Sequence, residues 1–262
     1  MNTLTCRLIG KVAVITGGAR GIGAAAAKLF AENGAYVVIA DILDELGAML
    51  AESIGARYIH CDVAKEDDVE SAIQLALTWK GQLDILFSNA GIGGPAGSIT
   101  SIDMEQVKHL ISINLLGNVH GIKHAARAML KHRTKGSIIC TSSSAGVMGG
   151  LASHIYSLSK AAIIGLMRTA ACELGVHGIR VNCISPHAVP SDLLVSAYRI
   201  FLGNETRPEQ VSKLVGRAAT VEDVAQAALF LASEDAGFIT AHNLVLDGGF
   251  TSSCNTLSFI YQ

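Results

Sequence analysis

The chain has 262 residues, a formal charge of −2, 50% hydrophobic and only 16% charged residues. That length suits one α/β domain, and the near-zero charge excludes a polycationic grip on nucleic acid or an anionic membrane surface. So few charges, against the usual quarter, leave more apolar side chain than one monomer hides and predict a homo-oligomer.

The six cysteines are scattered without a CxxC pair, so they suggest neither a zinc site nor a disulfide framework. Met1–Gly10 lacks the pattern of a signal peptide, and no apolar run reaches membrane-spanning length. The expectation is a cytoplasmic protein with no membrane and no nucleic-acid partner.

Val12–Ile15 is a short, wholly apolar run that predicts a strand buried on both faces. Thr16-Gly17-Gly18-Ala19-Arg20-Gly21-Ile22-Gly23 follows and opens an alanine-rich helix. In this order of strand, turn and helix, Gly17 permits the tight turn. Gly21 lets backbone approach a pyrophosphate, and Gly23 lets helix pack on strand. The helix N-terminus offers unpaired N–H groups and partial positive charge to phosphates.

Tyr36–Ala40 is a second strand with Asp41 at its end, 18 residues beyond Gly23. A carboxylate there accepts the two ribose hydroxyls of an adenosine and repels a 2′-phosphate; alternatively it caps the next helix. No basic residue follows in 42–45, which favours NAD over NADP, with Arg20 the one residue arguing otherwise.

Arg57–Cys61 reads as the third strand, closed by Asp62-Val63, and Lys65–Trp79 as an amphipathic helix. Leu83–Phe87 is the fourth strand, followed by Ser88-Asn89-Ala90-Gly91 at the edge where open α/β sheets bind ligands. Met104–Leu130 reads as one long helix with Asn114 in its apolar middle, either bending the helix or ordering a water chain.

Gly136–Cys140 is the fifth strand and leaves at a serine cluster, 141–144, that is either a turn or a source of a substrate-binding hydroxyl. Tyr156 and Lys160 stand four apart at the start of a long helical run, so they share one face about a turn apart. An ammonium there favours the phenolate of its neighbour. Ile179–Ile184, Val221–Ala232 and Asn243–Leu246 complete the pattern as strand, helix and strand. Residues 187–215 lack periodicity and are the candidate substrate lid, its greasy run from Leu193 to Leu202 suggesting either an apolar pocket wall or an ordinary amphipathic helix packed on the body. Strand and helix alternate throughout, which predicts a doubly wound, seven-stranded parallel sheet, a Rossmann fold, in one domain spanning 1–262.

These motifs together resemble the short-chain dehydrogenase/reductase family over about 10–249: the glycine turn, Asp62-Val63, Asn89-Ala90-Gly91, Asn114, Ser143, Tyr156, Lys160 and Asp247-Gly248-Gly249. Ser143 stands 13 residues before Tyr156, as in the family. The wording around Leu158–Lys160 and Ala171–Gly175 is similar to the plant branch that holds secoisolariciresinol, borneol and nepetalactol-related enzymes.

The resemblance implies roles. Asp41 would hold the adenosine ribose, Asp62 and Val63 the adenine, and Asn89 to Gly91 the middle of NAD. Gly17, Arg20, Gly21, Ile22 and Gly23 would line the phosphates, and Pro186, Val189 and Ser191 the nicotinamide. Ser143 would bind the substrate oxygen, Tyr156 take the alcohol proton, Lys160 hold the nicotinamide ribose, and Asn114 anchor a water relay. A homotetramer is the family expectation. One departure stands out: the run 187–192 carries Ala188, Pro190 and Asp192 where that branch has glycine two residues after the proline and then a threonine-proline pair.

The expected activity is NAD-dependent oxidation of an apolar secondary alcohol, a cyclic monoterpenoid such as borneol or nepetalactol. The altered turn motivates an alternative, a non-redox terpenoid cyclase that binds NAD without turnover. A non-catalytic NAD-binding protein ranks lower, because Asn114, Ser143, Tyr156 and Lys160 are all present.

Overall fold

Seven parallel strands in the order β3-β2-β1-β4-β5-β6-β7 form the middle layer of the computed structural model, which describes residues 6–95, 97–190, 214 and 217–253. The strands are β1 (Val12–Thr16), β2 (Tyr36–Asp41), β3 (Arg57–His60), β4 (Ile85–Ser88), β5 (Ser137–Thr141), β6 (Arg180–Pro186) and β7 (Asn243–Leu246). The helices are α1 (Gly21–Glu32), α2 (Asp44–Ile54), α3 (Glu66–Lys80), α4 (Met104–Ile111), α5 (Gly117–His132), α6 (His154–Gly175) and α7 (Val221–Ala232).

The expected doubly wound sheet is what the chain builds. β1, β4 and β5 are buried at every position, because helices cover both of their faces. One core joins β1 and β2 to α1, α2 and α7 through Phe30, Ile39, Phe87 and Leu229. The other joins the opposite face to α3, α5 and α6 through Ile73, Leu86, Met129 and Met167. The order reverses between β1 and β4, which opens a crevice at the carboxyl edge of the sheet.

Besides shifts of one or two residues at strand ends, two differences from the sequence reading have a visible cause. β4 starts at Ile85 because Asp84 turns its carboxylate onto the Val12 amide at 2.8 Å and is held by Lys11 at 3.7 Å. The long helix over 104–130 is not one α-helix: Ser112–Leu116 is a π-turn between α4 and α5, and Asn114 sits at its centre.

Candidate active site

The glycine turn is shaped by contact as well as by backbone angle. Gly17 has φ +63°, and a Cβ there would lie 2.8 Å from the Ala90 Cα. A Cβ on Gly23 would lie 2.0 Å from the Gly17 carbonyl oxygen. Gly21 also has positive φ, +55°, with open space where a side chain would point. The first turn of α1 is therefore a bare-backbone cradle, the shape a pyrophosphate needs. Arg20 is exposed at the N-cap of α1, and Ile22 is the second residue of its first turn.

Asp41 closes the neighbouring side of this cradle. It is buried at the end of β2, and its carboxylate accepts from Ala19 N at 2.9 Å and Leu43 N at 3.0 Å. It does not cap α2, whose N-cap is Leu43 without a side-chain bond; it turns the chain before that helix while lying against the glycine turn. Tyr58 on β3 reinforces this corner, its hydroxyl 2.7 Å from the Asp41 carbonyl and 2.6 Å from the Asp44 carboxylate. Asp62 and Val63 lie just past β3: Asp62 accepts from Ala64 N at 3.1 Å, and the Val63 carbonyl is held by His120 on α5 at 3.0 Å.

Asn89 has a different task from direct contact alone. Its amide donates to the Thr16 and Gly17 carbonyls at 3.3 and 3.2 Å, and its Oδ1 accepts from Thr141 at 3.2 Å. The side chain ties the glycine turn to β5. Ala90 donates its amide to Thr16 Oγ1 at 3.2 Å.

Thr141, Ser142 and Ser143, at the end of β5, grip α6 in succession. Lys160 Nζ donates to the Thr141 carbonyl at 2.8 Å. Ser142 Oγ donates to the Lys160 carbonyl at 2.7 Å. Ser143 stands near enough to the Tyr156 hydroxyl to favour its phenolate, and its Oγ accepts from Ala145 N at 3.2 Å. Gly146 lets this turn lie flat on α6, since a Cβ there would be 2.7 Å from the Lys160 carbonyl carbon. Lys160 Nζ stands 5.6 Å from the centre of the Tyr156 ring, so the helical spacing brings the two groups to one face.

Asn114 is fully buried and saturated. Its side chain pairs with Ile92 in both directions, accepting at 2.8 Å and donating at 3.0 Å, and reaches Ser159 at 3.3 Å. Gly91 separates it from the lysine: a Cβ on Gly91 would lie 3.3 Å from Asn114 Oδ1 and 3.4 Å from Lys160 Nζ. The Asn114 carbonyl accepts from the buried Asn118 at 2.7 Å. The π-turn is what lets Asn114 face the loop after β4.

The electrostatics depart from the simple expectation of a lowered phenol. Burial pushes the Tyr156 phenol above its ordinary value, and the Ser143 hydroxyl opposes this without winning. Burial also lowers Lys160 to about 8. The cause is common to both: a site closed by α6 and β5 penalises any charge placed in it.

Pro186 ends β6, and Val189 is buried against the α7 face of the core. Ser191 and nearly all of the expected lid at 187–215 lie outside the described residues. Ala188, which stands where the plant branch has glycine, adopts φ +34°. His187 and Ser144, which no motif pointed to, are 2.7 Å apart beside this turn.

Residues 17–251 match a family model described as enoyl-(acyl carrier protein) reductase. The chain is 61% identical to short-chain dehydrogenase reductase ATA1 of Arabidopsis thaliana, covering 98% of each chain. It is 46% identical to secoisolariciresinol dehydrogenase of Forsythia intermedia, covering 100% of this chain and 96% of that one. It is 44% identical to a mitochondrial borneol dehydrogenase of Lavandula x intermedia, covering 97% and 96%. A crystal structure of a short-chain type dehydrogenase/reductase from Mycobacterium marinum superposes with a TM-score of 0.86 at 31% identity, covering 95% of this chain and 98% of that one. The chain belongs to the short-chain dehydrogenase/reductase family. It is an oxidoreductase that works with a nicotinamide dinucleotide on small-molecule alcohols or their ketones.

Proposed function

We propose that the chain is an NAD-dependent dehydrogenase of an apolar cyclic secondary alcohol, a monoterpenoid such as borneol or nepetalactol, with Tyr156 as its base. The observation that carries this is the gathering of Ser143, Tyr156, Lys160 and Asn114 at the carboxyl edge of β4 and β5, beside a bare glycine cradle closed by Asp41.

The residues fit NAD. The cradle at Gly17, Gly21 and Gly23 leaves backbone open to phosphates, and Asp41 offers a carboxylate where an adenosine ribose would lie. No basic residue in 42–45 supports a 2′-phosphate. When bound, oxidised NAD supplies a hydride acceptor and a positive charge. The protein handles the proton. Ser143 and Tyr156 hold the alcohol oxygen between them, and the hydroxyl proton passes to the Tyr156 oxygen. That transfer needs the phenolate, so the charge on Lys160 and the Ser143 hydroxyl must act against burial. Asn114, locked to Ile92, keeps Gly91 and the lysine in register and anchors the water path from Lys160 to solvent.

Exposed apolar side chains on α4, α5 and α6, among them Met104, Leu130 and Leu158, support a homotetramer. No helix among the described residues is long and apolar enough to cross a membrane, and a cytoplasmic location is part of this reading. A lid over 187–215 would close the apolar side of the pocket.

Purified protein is given NAD or NADP with a panel of cyclic terpenoid alcohols. NADH absorbance with NAD, and little with NADP, is the expected result; silence across the panel would sink the reading. The left-handed Ala188 favours the second reading, a cyclase holding NAD without turnover. Ring formation from a dialdehyde-derived enol with no NAD consumed would select it.

A further inference from the structure

Just beyond β6, His187 is built into the carboxyl edge of the sheet. Its amide donates to the Leu246 carbonyl at 3.0 Å, which fixes its backbone to β7. Its ring stacks on Phe250, with centroids 4.5 Å apart and planes 18° from parallel. Its Nδ1 lies 2.7 Å from the hydroxyl of Ser144, a buried residue directly after Ser143. Its Nε2 is enclosed and has no hydrogen-bond partner among the described residues.

The proton positions follow from the partners. The Ser144 hydroxyl has one acceptor within reach among the described residues, His187 Nδ1. A buried hydroxyl uses its proton, so Ser144 donates and Nδ1 accepts. The ring is neutral, because burial outweighs the nearby Asp247 carboxylate and lowers its pKa. A neutral imidazole that accepts at Nδ1 carries its proton on Nε2. The result is a buried N–H donor with no acceptor among the described residues. Buried donors are rarely left so, and this one stands just past the carboxyl end of β6, the edge where open α/β sheets bind ligands.

We propose that Ser144 and His187 act as a pair in which the serine sets the tautomer and His187 Nε2–H donates to a carbonyl or ether oxygen of a molecule bound in the cleft. The pair is additional to Ser143 and Tyr156, which serve the reacting oxygen, and the proposal rests on the cleft assigned above. The acceptor has two sources of the same chemistry: the carboxamide of the nicotinamide, or a second oxygen on the substrate.

The experiment compares wild type with His187→Phe, which keeps the stack on Phe250 and removes the N–H, and with Ser144→Ala, which releases the tautomer. Calorimetry measures NAD against ADP-ribose, which lacks the nicotinamide. It also measures a bicyclic monoterpene keto-alcohol against its parent alcohol on the protein–NADH complex. A carboxamide contact weakens NAD about tenfold in His187→Phe and leaves ADP-ribose unchanged. A substrate contact instead abolishes a roughly tenfold preference for the keto-alcohol. Nitrogen NMR of the wild type gives a third arm that needs neither turnover nor ligand: Nε2 is protonated, and this assignment is lost in Ser144→Ala. The proposal is overturned if His187→Phe folds with wild-type circular dichroism and changes neither ratio, or if the proton is found on Nδ1. Absence of alcohol oxidation touches the proposed function alone, since every arm here reads binding or tautomer.

Discussion

Lys160 donates its ammonium to the main-chain carbonyl of Thr141 at 2.8 Å, and this is the one hydrogen bond its charge receives from the described residues. An ammonium buried with so little compensation is held at about 8, below its ordinary 10.5. In the unfolded chain the group keeps its proton to higher pH. Between the two values the unfolded state therefore binds more protons, and stability rises with pH. The penalty is full below about pH 8 and is relieved above it, by ~3 kcal/mol if the whole interval were traversed. Tyr156, whose phenol is raised, opposes this above its ordinary value of 10. Urea unfolding of wild type and Lys160→Met from pH 7 to 10 should show the wild type gaining on the variant. Parallel curves would contradict the burial argument.

Tyr156→Phe removes the atom proposed to take the substrate proton while keeping the ring. Turnover with NAD and a cyclic alcohol should fall by about 10³-fold or more, in the range of general-base loss. NAD affinity by calorimetry should change little. A variant retaining a tenth of wild-type turnover would remove Tyr156 from the role of base.

Asp41→Asn keeps the shape and an acceptor for one of the two backbone amides, but removes the charge. Charge-assisted bonds are worth about 1.5–3 kcal/mol, so NAD should bind ~10-fold or more weakly. NADP should lose less, because a 2′-phosphate no longer meets a carboxylate. Titration of both cofactors checks the ratio, and an unaltered preference would place the discrimination elsewhere, with Arg20 the next residue to test.

Ala188 holds φ +34°, where a Cβ is strained and glycine is not. Ala188→Gly should relieve about 1 kcal/mol of strain, offset in part by the looser unfolded chain. Thermal unfolding should show a rise of roughly 1–3 °C in Tm for a protein of this size. A fall in Tm would mean that the left-handed alanine is held there without cost.

Gly91→Ala places a methyl 3.3 Å from Asn114 Oδ1 and 3.4 Å from Lys160 Nζ. The expected effect is on kcat, about tenfold, with Tm nearly unchanged, because the two polar tips shift while the core does not. Equal losses in kcat and stability would make Gly91 a packing residue.

How far these groups were legible depends on the distance over which each is determined. The Tyr156–Lys160 face follows from four residues of helix, and the cradle from a glycine spacing beside an apolar strand. Both are local, and both appear in the structure as read. Asn114 was legible as a buried amide needing partners, but not as the centre of a π-turn, because Ile111–Leu116 reads as continuous apolar helix. Only its bonds to Ile92, 22 residues away, require the extra residue in that turn. Ser144 and His187 are 43 residues apart and meet only once β5 and β6 are paired. The raised Tyr156 phenol was misjudged for the same reason: burial is a property of the assembled layers, whereas lysine spacing can be counted along the chain.

Asn89 stands where the sheet order reverses, and its amide reaches one way to Thr16 and Gly17 and the other way to Thr141. The two half-sheets are thus riveted at the midpoint of the crevice. A dinucleotide straddling it gains from having its second half presented at high effective concentration once the first is seated. Loosening that rivet with Asn89→Ala would leave the separate mononucleotides bound as before and weaken only the molecule that joins them.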